Sequence, residues 1–240
     1  MKSKHLIQFI IGIFSIALLS CSPKYYIPTA QNIPLIDEKG KTNLTIAVGG
    51  NQFEFLGAYG LEDALALQVN GGVVVPPDED NGNGGSGKFI EAGLGYYSNI
   101  NDEFLFDAYG LLAFGTMENH FPTTVPDNPG TTGKISANLV RFSIQPSLNF
   151  HKKNFSISGS TRFMTLNYSD IKGSLIFDNA DQVNYLKDQD LFFLLEPALT
   201  FKAGSEKIKF QFQLVTSINL TNDNFEQDDI LLSMGLNYQF

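Results

Sequence analysis

Two hundred and forty residues with 43% hydrophobic side chains and a formal net charge of −9 suit one or two ordinary domains. The acidic balance argues against nucleic-acid binding, which rests on cationic contacts with phosphate. Mean hydropathy is near zero, too low for a helical membrane protein. Beyond the first twenty residues no apolar run approaches the roughly 18 needed for a spanning helix.

The chain opens on a targeting segment. Lys2 and Lys4 precede an apolar stretch, Leu6 to Leu19, that is too short to span comfortably. It ends in Leu18-Leu19-Ser20-Cys21, which resembles a bacterial lipobox. The resemblance implies a lipoprotein signal peptide over residues 1–20, cleavage before Cys21, a thioether-linked diacylglycerol on its sulfur and acylation of the new amino terminus. Several acyl chains anchor far more firmly than one. Cys21 is the only cysteine, so an intrachain disulfide or thiolate metal cluster is excluded. Apart from that covalent lipid, no cofactor is expected. Ser22-Pro23-Lys24 follows without an acidic cluster. In the lipoproteins this resembles, that implies retention in the outer membrane, without the acidic signal that exports some Bacteroidetes-type lipoproteins to the cell surface.

Residues 21–42 hold Pro23, Pro28 and Pro34 with little alternation. Proline removes backbone donors and favours extended geometry, so this stretch reads as a lipid-anchored tether. Tyr25, Tyr26 and Ile27 are placed at the membrane interface or in the periplasmic mouth, and the sequence does not choose.

From residue 43 to residue 240 the chain reads as strand after strand, because apolar and polar residues alternate with period two. Leu44, Ile46 and Val48 open the series, and Gly50-Asn51 turns into Phe53, Phe55 and Tyr59. A turn at Glu62-Asp63 leads to Leu65, Leu67, Val69 and Val73, and residues 76–87 form a polar loop. Ile90, Leu94 and Tyr96 precede a tight turn at 99–102. Phe104, Phe106, Leu112 and Phe114 then lead into a second long loop, 117–134. Val140, Phe142, Ile144, Leu148 and Phe150 follow. After the turn at 151–154 come Phe155, Ile157 and Phe163, then a third long loop, 169–189. Leu191 to Leu220 is a hairpin of two long runs about a turn at 203–206, and Ile230 to Phe240 ends the chain.

That makes about ten strands, with eight as the alternative, in an antiparallel up-and-down transmembrane β-barrel of the all-β class. Tight turns follow the second, fourth, sixth and eighth strands, and longer connections follow the third, fifth, seventh and ninth. Short periplasmic turns and long extracellular loops mark bacterial outer-membrane barrels. An even count puts both ends of the barrel domain on the periplasmic side, so the lipid anchor is expected there. The last strand, with Leu236, Tyr238 and Phe240, resembles the terminal signal that outer-membrane proteins present to the barrel-assembly machinery. The whole resembles a small Bacteroidetes-type outer-membrane barrel that is also a lipoprotein. The partners this implies are outer-membrane lipid and the lipoprotein-processing and barrel-assembly machinery of a Gram-negative bacterium. Oligomeric state is not readable.

Alternation alone does not say which face is wet. The polar face carries small residues and opposite charges, Glu54, Glu91, Asp107, Arg141, Arg162, Glu196 and Lys209, which suit a salt-bridged lumen behind a lipid-facing apolar surface. Arg141 and Arg162 are expected to pair with Glu196 and Asp107. Pro146 and Pro197 fit best near strand ends, since each removes a ladder donor. Barrels of this size are narrow and largely filled by side chains. The reading is a non-enzymatic barrel with a structural or surface-interaction role. A small solute or ion pore is one alternative, and a lipid-tethered periplasmic barrel binding a lipophilic ligand is another.

Residues 78–82 lack the acidic twelfth position of a calcium loop, and no metal site is expected. His120 beside Glu118 is the thin basis for an envelope lipid-modifying enzyme or surface protease. His151, with Lys152 and Lys153, reads as a turn residue.

Overall fold

The computed structural model describes residues 22–76, 82–124, 130–189, 191–222 and 224–240. Ten strands form the wall: β1 (Thr42–Gly49), β2 (Gln52–Glu62), β3 (Leu65–Val74), β4 (Gly84–Asn99), β5 (Phe104–Phe121), β6 (Gly133–Lys152), β7 (Phe155–Gly173), β8 (Phe192–Gly204), β9 (Ile208–Thr216) and β10 (Ile230–Gln239). Each pairs antiparallel with its neighbours in sequence, and β10 pairs back onto β1 from Asn43–Gln239 to Val48–Met234. The sheet is a closed antiparallel barrel, as the sequence pattern predicts. Closure removes the free edges that an open sheet would expose.

The pleat decides the two faces. Ile46, Phe55, Ile90, Phe114, Phe142, Phe163, Leu199, Phe210 and Met234 all stand exposed on the outside. Their polar neighbours Thr45, Glu54, Glu91, Arg141, Arg162, Thr200, Gln211 and Ser233 are buried inside. An apolar exterior round a polar interior is what lipid requires of a spanning barrel. It also overturns the alternative of a periplasmic barrel with an apolar interior.

The wall is taller on one side than the loop signals suggest. β4 starts within the expected loop 76–87, β5 and β6 run on to Phe121 and from Gly133, and β7 reaches Gly173. Glycine, serine and asparagine there hide the alternation although the ladder continues. The connection after β7 carries a small hairpin and a short helix, α1 (Gln182–Lys187), capped by Asp181 through the amides of Val183 and Asn184. Pro146 and Pro197 do not lie at strand ends. Pro197 sits within the β7–β8 ladder opposite Thr161, and Pro146 lies between the paired positions Ile144–Phe163 and Ser147–Ser160 of β6 and β7, with the register kept across it.

The largest departure is at the amino-terminal end. Residues 22–41, expected as a tether outside the barrel, run through its lumen. Tyr25, Tyr26, Gln31, Asn32, Ile33 and Ile36 are among the most buried residues described. The segment begins at the mouth bearing the longer connections, where Tyr25 N–H donates to the Glu226 carbonyl. It leaves at the mouth bearing the short turns, where Gly40 N–H donates to Gly60 and β1 begins.

Candidate functional site

The candidate site is the lumen and the segment that fills it. Seven side chains were expected to face inward: Glu54, Glu91, Asp107, Arg141, Arg162, Glu196 and Lys209. All are buried. Strand parity gives their face, but the pairs depend on height in the barrel. Arg141 Nη2 meets Glu91 Oε2 at 2.7 Å, and Arg162 Nη1 meets Glu196 Oε2 at 3.3 Å. Asp107 joins neither arginine. Its carboxylate accepts from Ser147 Oγ at 2.6 Å and Asn149 Nδ2 at 2.9 Å. Lys209 lies near the short-turn mouth and donates to the Glu206 carbonyl at 3.4 Å.

Two buried ion pairs close together are stable only if their remaining donors and acceptors are met. The threaded segment meets them. Thr29 Oγ1 accepts from Arg141 Nη1 at 3.1 Å and from Arg162 Nη1 at 2.9 Å. The Tyr26 hydroxyl donates to Glu196 Oε1 at 2.9 Å and accepts from Arg141 Nη1 at 3.1 Å. One hydroxyl thus bridges the two pairs. Arg162 also reaches Gln145 Oε1 and the Ala30 carbonyl. Glu54, which has no ion-pair partner among the described residues, instead receives the Ala30 amide on both oxygens, at 3.0 and 3.1 Å.

Lower in the barrel the segment's backbone is matched group by group, as a buried main chain must be. Gln31 N–H donates to Gln213 Oε1 at 2.7 Å, and Gln213 Nε2 returns a bond to the Gln31 carbonyl at 2.9 Å. The Asn32 carbonyl accepts from Gln145 and Gln68, while its side chain donates to Asn70 and Gly57. Lys202 Nζ donates to the Ile33 carbonyl at 2.6 Å. Ile33, Leu35 and Ile36 then pack on Leu105, Tyr109 and Leu111, an apolar patch on an otherwise polar inner wall.

At the long-connection mouth a second apolar cluster gathers Tyr25, Tyr168, Leu186, Phe192 and Phe225. Tyr25 donates its hydroxyl to Gln182 Oε1 at 2.6 Å, and Tyr168 donates to the Tyr25 carbonyl at 2.7 Å. Burial pushes the Tyr25 hydroxyl well above its ordinary pKa, so it stays protonated and able to donate.

The segment fills the lumen, and both arginines are taken up by carboxylates and by the segment. His120 stands apart from it, exposed on the outer surface of β5, and Glu118 is taken by Lys134 at 2.9 Å. Among the described residues, no three histidine, cysteine, aspartate or glutamate side chains gather as metal ligands. Cys21 and most of the acidic stretch 78–82 fall outside the described residues. At the chain end, the Phe240 amide donates to the Thr42 carbonyl, and the Tyr238 and Phe240 rings lie 5.1 Å apart. The sequence reading missed Thr29, Tyr26, Gln31 and Asn32. Their signal was a run too rich in amides and bulky apolar groups for a solvated tether.

No family model matches the chain, and no curated protein matches it. Solved outer-membrane barrels do. The outer membrane protease OmpT from Escherichia coli superposes with a TM-score of 0.50 at 8% identity, over 83% of this chain and 92% of that one. The KdgM porin gives 0.37 at 8% identity, over 83% and 99% of the two chains. LpxR from Salmonella typhimurium gives 0.35 at 10%, over 82% and 99%. The likeness is one of fold.

Proposed function

We propose that this chain is a non-enzymatic lipoprotein barrel of the outer membrane of a Gram-negative bacterium. Lipid on Cys21 anchors it, and its own amino-terminal segment closes its lumen. Its role is structural or one of surface interaction through the longer connections. One observation carries the reading: the segment from Tyr26 to Ile33 occupies the lumen and bonds to wall side chains of β2, β3, β6, β7, β8 and β9. A solute path would have to displace both ion pairs and the backbone between them. That favours a closed lumen over the small-pore alternative. The non-enzymatic reading is supported by His120, which is exposed on the outer face of β5 while Glu118, the carboxylate that would serve it, is paired with Lys134.

Single-channel recording in planar bilayers tests the seal. The full chain should give no openings, and a variant lacking residues 24–36 should give frequent ones. Steady openings from the full chain would overturn the proposal in favour of a pore. Gel mobility of outer-membrane extracts with and without boiling tests the barrel in the membrane, and a heat-dependent shift is expected.

A further inference from the structure

The direction of the threaded segment has a topological consequence. Every bond that Lys24, Tyr25 and Tyr26 make near their main chain goes to the long-connection mouth. Lys24 N–H donates to Asn119 Oδ1 at 3.1 Å and its carbonyl accepts from Asn119 Nδ2 at 2.9 Å, near the end of β5. Tyr26 bridges in parallel to Gln227, and Asp228 N–H donates to the Tyr26 carbonyl at 3.0 Å, both in the connection from β9 to β10. At the other end, Asn99 Nδ2 donates to the Asp37 carbonyl and Gln239 Nε2 to that of Leu35, both at the short-turn mouth. The thirteen steps from Lys24 to Asp37 reach at most roughly 45 Å when extended. An apolar belt of about 25 Å is well within that reach.

The rim at the long-connection mouth is uneven. β5, β6 and β7 have 18, 20 and 19 residues, whereas β9, β10 and β1 have 9, 10 and 8. Counted in residues from the short-turn mouth, the wall is low along β9, β10 and β1, although Ile218 and Asn219 carry the pairing with β8 a little further. The Lys24 ammonium already leans to that side, 3.5 Å from Glu226 Oε2.

We propose that the chain passes through its own barrel from outside to inside. Ser22 to Lys24 lie at the cell-surface mouth, and the acyl chains on Cys21 enter the outer leaflet over the low rim of β9, β10 and β1. The partner of this end of the molecule is the lipid of the outer leaflet. A periplasmic anchor, inferred from the even strand count, does not allow for a segment that doubles back through the lumen. The inference rests on reading Cys21 as the lipidated residue, and its test separates the two.

The full-length protein is probed in intact cells with a membrane-impermeant maleimide. A lipidated Cys21 has its sulfur in a thioether, so Ser22→Cys supplies a sole reactive thiol at the disputed end. Lys187→Cys on α1 reports the long-connection side, and Asp102→Cys reports the short turns. Ser22→Cys should label in intact cells as fully as Lys187→Cys, while Asp102→Cys should label only after the outer membrane is permeabilised. Labelling of Ser22→Cys only on permeabilisation, with Lys187→Cys open in intact cells, would overturn the threading. The unsubstituted protein, denatured before labelling, should show no thiol. A thiol there would refute the lipid on Cys21, and with it the outer-leaflet anchor, while the Ser22→Cys pattern would still report which mouth the segment enters.

Discussion

Replacing Arg162 with leucine is the sharpest probe of the lumen. The guanidinium is fully buried and meets Glu196, Thr29, Gln145 and the Ala30 carbonyl. Leucine fills part of the volume and leaves the Glu196 carboxylate with the Tyr26 hydroxyl but no cation at contact distance. Breaking a buried pair by removing one partner costs about 3–5 kcal/mol, because the other charge stays buried. In a chain of this length each kcal/mol moves a melting midpoint by roughly 2–4 °C, so the variant should melt roughly 6–20 °C lower. The assay is the temperature at which half of the detergent-extracted protein loses its compact gel mobility. Adding Glu196→Leu should restore part of the loss, since both charges then leave together and the two sites share partners. A midpoint for Arg162→Leu within a degree or two of the parent would refute the reasoning. So would a double variant whose loss equals the sum of the singles.

Three further outcomes follow from the wall and its closing strand. A Cβ built on Gly95 falls within 2.6 Å of Tyr109 Cε1, so Gly95→Val should cost about 1–3 kcal/mol as an overpacked site. The same gel midpoint would then fall by roughly 2–12 °C. Gly159 has open space at that position, and Gly159→Ala should leave the midpoint where it was. Deleting Phe240 removes the amide that bonds Thr42 and the ring beside Tyr238. The folded, heat-shiftable fraction in outer-membrane extracts should drop severalfold, and an unchanged fraction would count against a role for this end in assembly.

How far the fold was legible follows from what period-two alternation encodes. Phe210, Phe212 and Leu214 against Lys209, Gln211 and Gln213 give a strand and its two faces, and turn chemistry gives the order of connections. Height along the barrel is not encoded in one strand. Glu91 therefore surfaced as an inward charge but not as the partner of Arg141, and Asp107 was matched to an arginine when Ser147 and Asn149 hold it. Residues 22–41 were misplaced for a different reason. Extended, proline-bearing chain has the same local signature in solvent and in a polar lumen, and only the wall's unmet donors distinguish them. Ile33, Leu35 and Ile36 offered a hint, because three large apolar groups so close together gain little in a solvated tether.

The inner wall explains why a segment is needed at all. Ser143, Ser147, Ser156, Ser158 and Ser160 face inward on β6 and β7. Such small side chains leave room that the wall does not fill. The chain fills it with its own backbone, whose prolines at 28 and 34 bring no amide to satisfy. Because the segment continues covalently into β1, it is held near its site even when one bond is lost. Tyr26→Phe should therefore separate stability from sealing. It removes the hydroxyl shared by Glu196 and Arg141, a loss of about 1–3 kcal/mol for buried groups left unmet. The gel midpoint should fall by roughly 2–12 °C. The bilayer trace should stay silent, because Thr29, Gln31, Asn32 and Ile33 remain bonded to the wall. Openings from Tyr26→Phe as frequent as those from the variant lacking residues 24–36 would mean that one hydroxyl holds the seal, and the distributed network would lose its claim to do so.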